Sequence, residues 1–93
     1  MFDDNSPGPP GSRYLRPVRP AKPVWVNLAI VYPFTSSGKR FDGGMDLQAV
    51  VEGTLKMWDR AVTGQWVAWV VFSIGRAPAS QWVPADAVKP RTP

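Results

Sequence analysis

The sequence predicts a mostly β domain, a small five-stranded barrel with a single helical turn near residues 84–88. Three observations carry that prediction. β-Branched and aromatic residues gather in short runs at 24–32, 65–74 and 80–83. Glycine and proline clusters separate the runs, as the turns of a small barrel require. A chain of 93 residues has room for one hydrophobic core.

Residues 1–23 read as a flexible tail. Pro7, Gly8, Pro9, Pro10 and Gly11 interrupt any regular backbone. Pro17, Pro20 and Pro23 then recur every third residue, the repeat of a polyproline II helix, and Arg13, Arg16, Arg19 and Lys22 keep the same spacing on a neighbouring edge. The segment from Pro17 to Lys22 fits a PxxPx(K/R) ligand pattern, whereas a solvated linker needs no partner at all. The folded domain is expected over 24–90, and residues 91–93 as a frayed end.

Val24 to Tyr32 predicts the first strand, which Pro33 stops. Residues 33–46 hold Ser36, Ser37, Gly38, Gly43 and Gly44 among few apolar groups, the composition of a long loop. Residues 47–58 admit two readings. Leu47, Ala49, Val51, Gly53, Leu55 and Met57 alternate with a more polar set, as in a strand. Leu47, Val50, Val51, Leu55, Trp58 and Val62 also share one helical face, with Asp46 as a cap and Glu52–Lys56 as a favourable pair. Gly53 favours the strand, because glycine costs about 1 kcal/mol inside a helix but suits a bulge or bend in a sheet. The alternative is an α+β domain with a helix at 46–62.

Gln65 to Ile74 is apolar on both faces, the pattern of a central strand buried from two sides. Thr63–Gly64 supplies the turn before it, and residues 75–79 the loop after it. Trp66 and Trp69 must then point to opposite faces. Ser80 to Val83 reads as a short strand, and Pro84 to Val88 as one helical turn.

Gly53-Thr54, Trp58, Trp66-Val67-Ala68-Trp69-Val70 and the ending Trp82-Val83-Pro84-Ala85 with Val88 resemble the Src-homology-3-like barrels, over about residues 47–91. The same ending is similar to small barrels of bacterial and bacteriophage proteins. The resemblance implies a fold that serves peptide binding, nucleic-acid binding and assembly alike. The chain departs from the peptide-binding pattern in its long loop, where Lys39 and Arg40 flank Phe41 in place of an acidic specificity loop.

Composition narrows the chemistry. Cysteine and histidine are both absent, which leaves no disulfide, no thiol nucleophile and no usual zinc site. Five tryptophans, four phenylalanines and two tyrosines supply the core, each large ring burying on the order of 150–250 Å². Asp42 and Asp46 are the one close acidic pair between the tail and the last turn, and they read as solvated turn residues. Ser36 to Arg40 lacks the spacing of a phosphate loop. No catalytic residue, metal site or cofactor is therefore expected. No run of 18 apolar residues and no signal-peptide pattern appear, so the expectation is a cytoplasmic protein with no membrane partner, in the host cytoplasm if bacteriophage-encoded.

The leading functional expectation is a non-catalytic protein-interaction module, with Trp25, Phe41, Trp58 and Trp69 as partner-binding residues. The net charge of +4 supports a second expectation. In it, Lys39, Arg40, Lys56 and Arg60 hold phosphates while neighbouring rings stack on bases, provided the barrel brings the long loop beside Lys56 and Arg60. A third is a virion assembly component that self-associates through a barrel edge.

Overall fold

A computed structural model describes residues 12–34, 38–39 and 41–92. Five antiparallel strands form one strongly curled sheet, a half-barrel: β1 (Arg16–Asn27), β2 (Val50–Arg60), β3 (Trp66–Ile74), β4 (Ala77–Pro84) and β5 (Val88–Pro90). Their order across the sheet is β4-β3-β2-β1-β5, so β2 is central and β4 and β5 are the edges. One helical turn, α1 (Leu28–Val31), follows β1, and a 3-10 turn (Ala85–Ala87) joins β4 to β5. The mostly β expectation is met, and the 46–62 helix is not formed. Once β1 and β3 flank 50–60, every alternate residue there can pair, an option the isolated segment lacks.

The concave face holds the core. Val24 and Val26 of β1, Leu55 of β2, Ala68, Val70 and Phe72 of β3 and Val83 of β4 are buried, joined by Leu28 from α1 and Ala87 from the 3-10 turn. Full burial of an aliphatic side chain of this size stabilises by about 1.5–3 kcal/mol. Gly53 sits in the middle of this face in regular register, opposite Val24 and Phe72. A Cβ there would lie 2.9 Å from Val26 Cγ2 and 3.0 Å from Val70 Cγ1. Its role is close packing of neighbouring strands. The bulge expected of it falls instead between Leu55 and Met57, with Lys56 as the extra residue.

Five sequence expectations need correction. The rings do not supply the core: among the described residues Phe72 is the one buried aromatic, and all five tryptophans are half-buried or exposed, because the closely spaced strands of the concave face admit mainly aliphatic side chains. The ordered chain does not start at Val24: β1 begins at Arg16, where Arg16 and Pro17 pair with Trp58 and Met57. From Pro17 to Lys22 the chain takes five steps against two from Met57 to Leu55, so the ladder breaks there. Prolines 17, 20 and 23 have no N–H to donate, which explains both the broken ladder and its tail-like look in sequence. The first strand ends at Asn27 and not at Tyr32, because the Asn27 side chain accepts from the Ala29 N–H at 3.1 Å and starts α1. β3 is buried on one face only, with Val67 and Trp69 half-buried and Val71 exposed on the other. Arg91 is tied down: its N–H donates to the Pro23 carbonyl at 3.2 Å and its guanidinium lies over the Trp25 ring.

Candidate functional site

The strands give the half-barrel two ends. The loop after α1 enters β2 at Val50, and β2 leaves at Arg60. Eleven residues at about 3.3 Å each separate those ends by on the order of 30 Å.

At the Arg60 end, three chain segments converge. The β2–β3 hairpin closes through Ala61 N–H to the Gln65 carbonyl (2.8 Å) and Gly64 N–H to the Ala61 carbonyl (2.9 Å). Gly64 takes φ +98°, a conformation that glycine adopts without strain. The hairpin register sets Arg60 opposite Trp66 and Trp58 opposite Ala68, so the two indoles are diagonal neighbours on the concave side. Pairing of Arg16 with Trp58 brings β1 alongside.

The third segment, Ser12–Leu15, is held by Asp59. This carboxylate is buried and accepts from the Ser12 N–H at 2.7 Å, the Ser12 hydroxyl and the Arg60 N–H at 2.7 Å. The Ser12 hydroxyl, then the Ser12 N–H, hold its pKa below the ordinary 3.8, and burial does not overcome them. Asp59 is therefore charged at neutral pH and directed into the chain turn instead of toward solvent.

Fixing that turn sets Tyr14 beside Arg60. The Arg13 guanidinium carbon lies 5.2 Å from the Tyr14 ring centre, and Arg13 Nη2 donates to the Tyr14 hydroxyl at 3.1 Å. The Arg60 carbon lies 5.9 Å from the same ring and 5.4 Å from Trp66. Cation and ring thus alternate from Arg13 through Tyr14 and Arg60 to Trp66, each contact worth about 0.5–1 kcal/mol at an exposed site. Tyr14 is 38% and Trp66 37% exposed, so both rings keep accessible surface. Beside them, Trp58, Trp66, Ala85 and Arg16 line a shallow, open apolar slot of about 430 Å³.

The expected site residues are distributed unevenly about this geometry. Trp58 packs on the core with one part and lines the slot with another. Arg60 is at the centre of the cluster. Trp69 is on the opposite, convex face, in edge-to-face contact with Trp82 at 5.3 Å, which confirms the opposite orientation of Trp66 and Trp69. Trp25 is also on the convex face, pairing with Glu52 toward the other end, where Arg91 contacts both its ring and, at 3.8 Å, Glu52. Phe41 is 78% exposed in the loop that precedes β2, in a hollow it shares with Lys39 and Phe34. Arg40 lies outside the described residues. The loop is thus at the far end from Arg60, and Lys39 does not join Lys56 and Arg60 in one groove. The exposed Lys56 sits at the bulge between them.

Sequence reasoning missed Arg13, Tyr14 and Arg16, which it assigned to the tail, and the Asp59 anchor. One signal was present. A three-residue loop, Val62 to Gly64 with glycine at its left-handed position, sets Arg60 opposite Trp66 across the hairpin, whereas a two-residue turn at Thr63-Gly64 would set it opposite Val67. No family model, curated protein or solved structure matches this chain.

Proposed function

We propose that this chain is a non-catalytic binding module of the small Src-homology-3-like type that captures an anionic partner at its arginine–aromatic end. The fold type is supported by the five curled antiparallel strands and by the Val83-Pro84 step into a 3-10 turn before the last strand. The observation that carries the binding site is the chain of contacts Arg13–Tyr14–Arg60–Trp66 beside the apolar slot. Arg13, Arg16 and Arg60 make no ion pair among the described residues, where Arg91–Glu52 is the one pair present. Their charge is available to a ligand, and the rings supply the apolar contact area that binding hot spots use.

The partner surface expected from Trp25, Phe41, Trp58 and Trp69 together is not what this reading uses, since only Trp58 of the four belongs to the cluster. An acidic segment of a protein and a nucleic-acid strand both offer the charge that the cluster lacks. The test is retention on immobilised polyanions, heparin and polyglutamate, across a salt gradient. Arg16→Glu with Arg60→Glu should elute at much lower salt than the parent chain. Arg76→Glu, in the turn before β4, should shift elution far less. Equal shifts for the two variants would mean that net charge, not this site, governs binding.

A further inference from the structure

We propose that the anionic partner is single-stranded nucleic acid, with one base laid on the open slot that Trp58 and Trp66 line and the flanking phosphates on Arg16, Arg60 and Arg13. The inference rests on the binding site proposed above and adds the class of ligand.

Three features favour a strand with unstacked bases over an acidic polypeptide. The slot is lined by two indoles, a methyl group and an arginine stem, so it offers flat apolar surface and no row of backbone partners that would register a peptide. β2 and β3 have strand neighbours on both sides here, and the outer edge of β1 that β5 leaves uncovered is interrupted by Pro17, Pro20 and Pro23, which have no N–H to offer a peptide strand. Guanidiniums lie 5.2–5.9 Å from ring centres, so cations for phosphates and rings for bases stand side by side. The one acid in the cluster, Asp59, spends its oxygens on Ser12 and Arg60 backbone and hydroxyl donors and so does not compete for the arginines. A duplex keeps its bases stacked and has none to insert, which restricts the ligand to single strands.

The experiment uses the full chain with a dye-labelled twelve-residue oligothymidylate, a matching oligouridylate, a duplex of equal length and polyglutamate, read by anisotropy and tryptophan fluorescence. The single strands should bind with quenching of tryptophan emission. The log–log salt slope should be about −2, from three phosphates at about −0.7 each. Trp66→Ala should weaken binding roughly tenfold, in the range of one lost base–ring stack, and Trp66→Phe should restore most of it. Arg16→Ala and Arg60→Ala should each reduce the slope by about 0.7, whereas Arg76→Ala should not. Thermal unfolding of each variant establishes that it is folded. Binding of polyglutamate without single strands would overturn the nucleic-acid inference and leave the anionic-partner reading standing. Duplex bound as tightly as single strand, or Trp66→Ala without effect in a folded variant, would also overturn it. Failure of every polyanion to bind would overturn both proposals.

Discussion

The two ends of the half-barrel are built on opposite plans. At the Val50 end, a long connection carries Phe34, Phe41 and Met45, which are 61%, 78% and 60% exposed. Its two ends are tied to the body, by the Tyr32 hydroxyl donating to Gln81 and the Ala49 carbonyl accepting from Leu28 N–H. Between them are local bonds such as Gly44 N–H to the Phe41 carbonyl and Gln48 N–H to Asp46. At the Arg60 end, exposed rings are each engaged by a guanidinium, and segments 47 residues apart are joined through Ser12 and Asp59. Exposed apolar area is common on protein surfaces and by itself says little. Rings and cations locked into one arrangement by a buried carboxylate say more, because ordering those side chains costs entropy that a merely solvated face would not spend.

The contrast can be broken at several points. The largest effect belongs to Leu28, the buried residue that seals the Val50 end, where its N–H donates to the Ala49 carbonyl. Leu28→Ala should cost about 2–5 kcal/mol, as cavity-forming substitutions do, measured by urea unfolding, and should loosen both ends together because the core is shared. Next is Gly53, midway between the ends. Gly53→Ala must displace Val26 or Val70, and overpacking of this kind costs about 1–3 kcal/mol. A variant as stable as the parent would show that the strands can separate at no cost.

Asp59 separates the two ends most cleanly. Asp59→Asn should speed amide exchange at Ser12–Leu15 several-fold and weaken ligand binding, while exchange near Val50 stays unchanged. Acid should do the same. The folded carboxyl titrates below its ordinary 3.8, so its contribution is fully present above that value and is lost as pH falls through the lower folded value. Protection factors at Ser12–Leu15, with the intrinsic pH dependence of amide exchange divided out, should fall only below about pH 4. The smallest effect is expected at the other end: Phe41→Ala should change stability by less than about 0.5 kcal/mol and leave polyanion retention intact. Loss of retention in that variant would place the binding surface in the loop.

What the sequence made legible depended on how local the information was. Dense β-branched runs marked the strands around 24, 65–74 and 80–83, since pleated pairing selects those residues wherever their partners are. The turn at Thr63-Gly64 and the step at Val83-Pro84 were readable for the same reason. Residues 12–23 were not. Their prolines forbid a regular ladder, and nothing within the segment shows that Trp58 and Asp59 will hold it. The proposed binding site was the least readable, because half of it lies in that segment. Trp25, Phe41, Trp58 and Trp69 look equivalent as letters. Only the register, with its bulge at Lys56, sends Trp58 to the slot and leaves Trp69 on the convex face.

By itself, then, the chain determined a mostly β body with a net positive charge, because backbone preference and charge are properties of residues and their near neighbours. Which arginines meet which rings was decided by tertiary structure alone. Side chains 47 residues apart become partners only when the strands between them have paired, and a single residue of register moves a ring from one face of the sheet to the other.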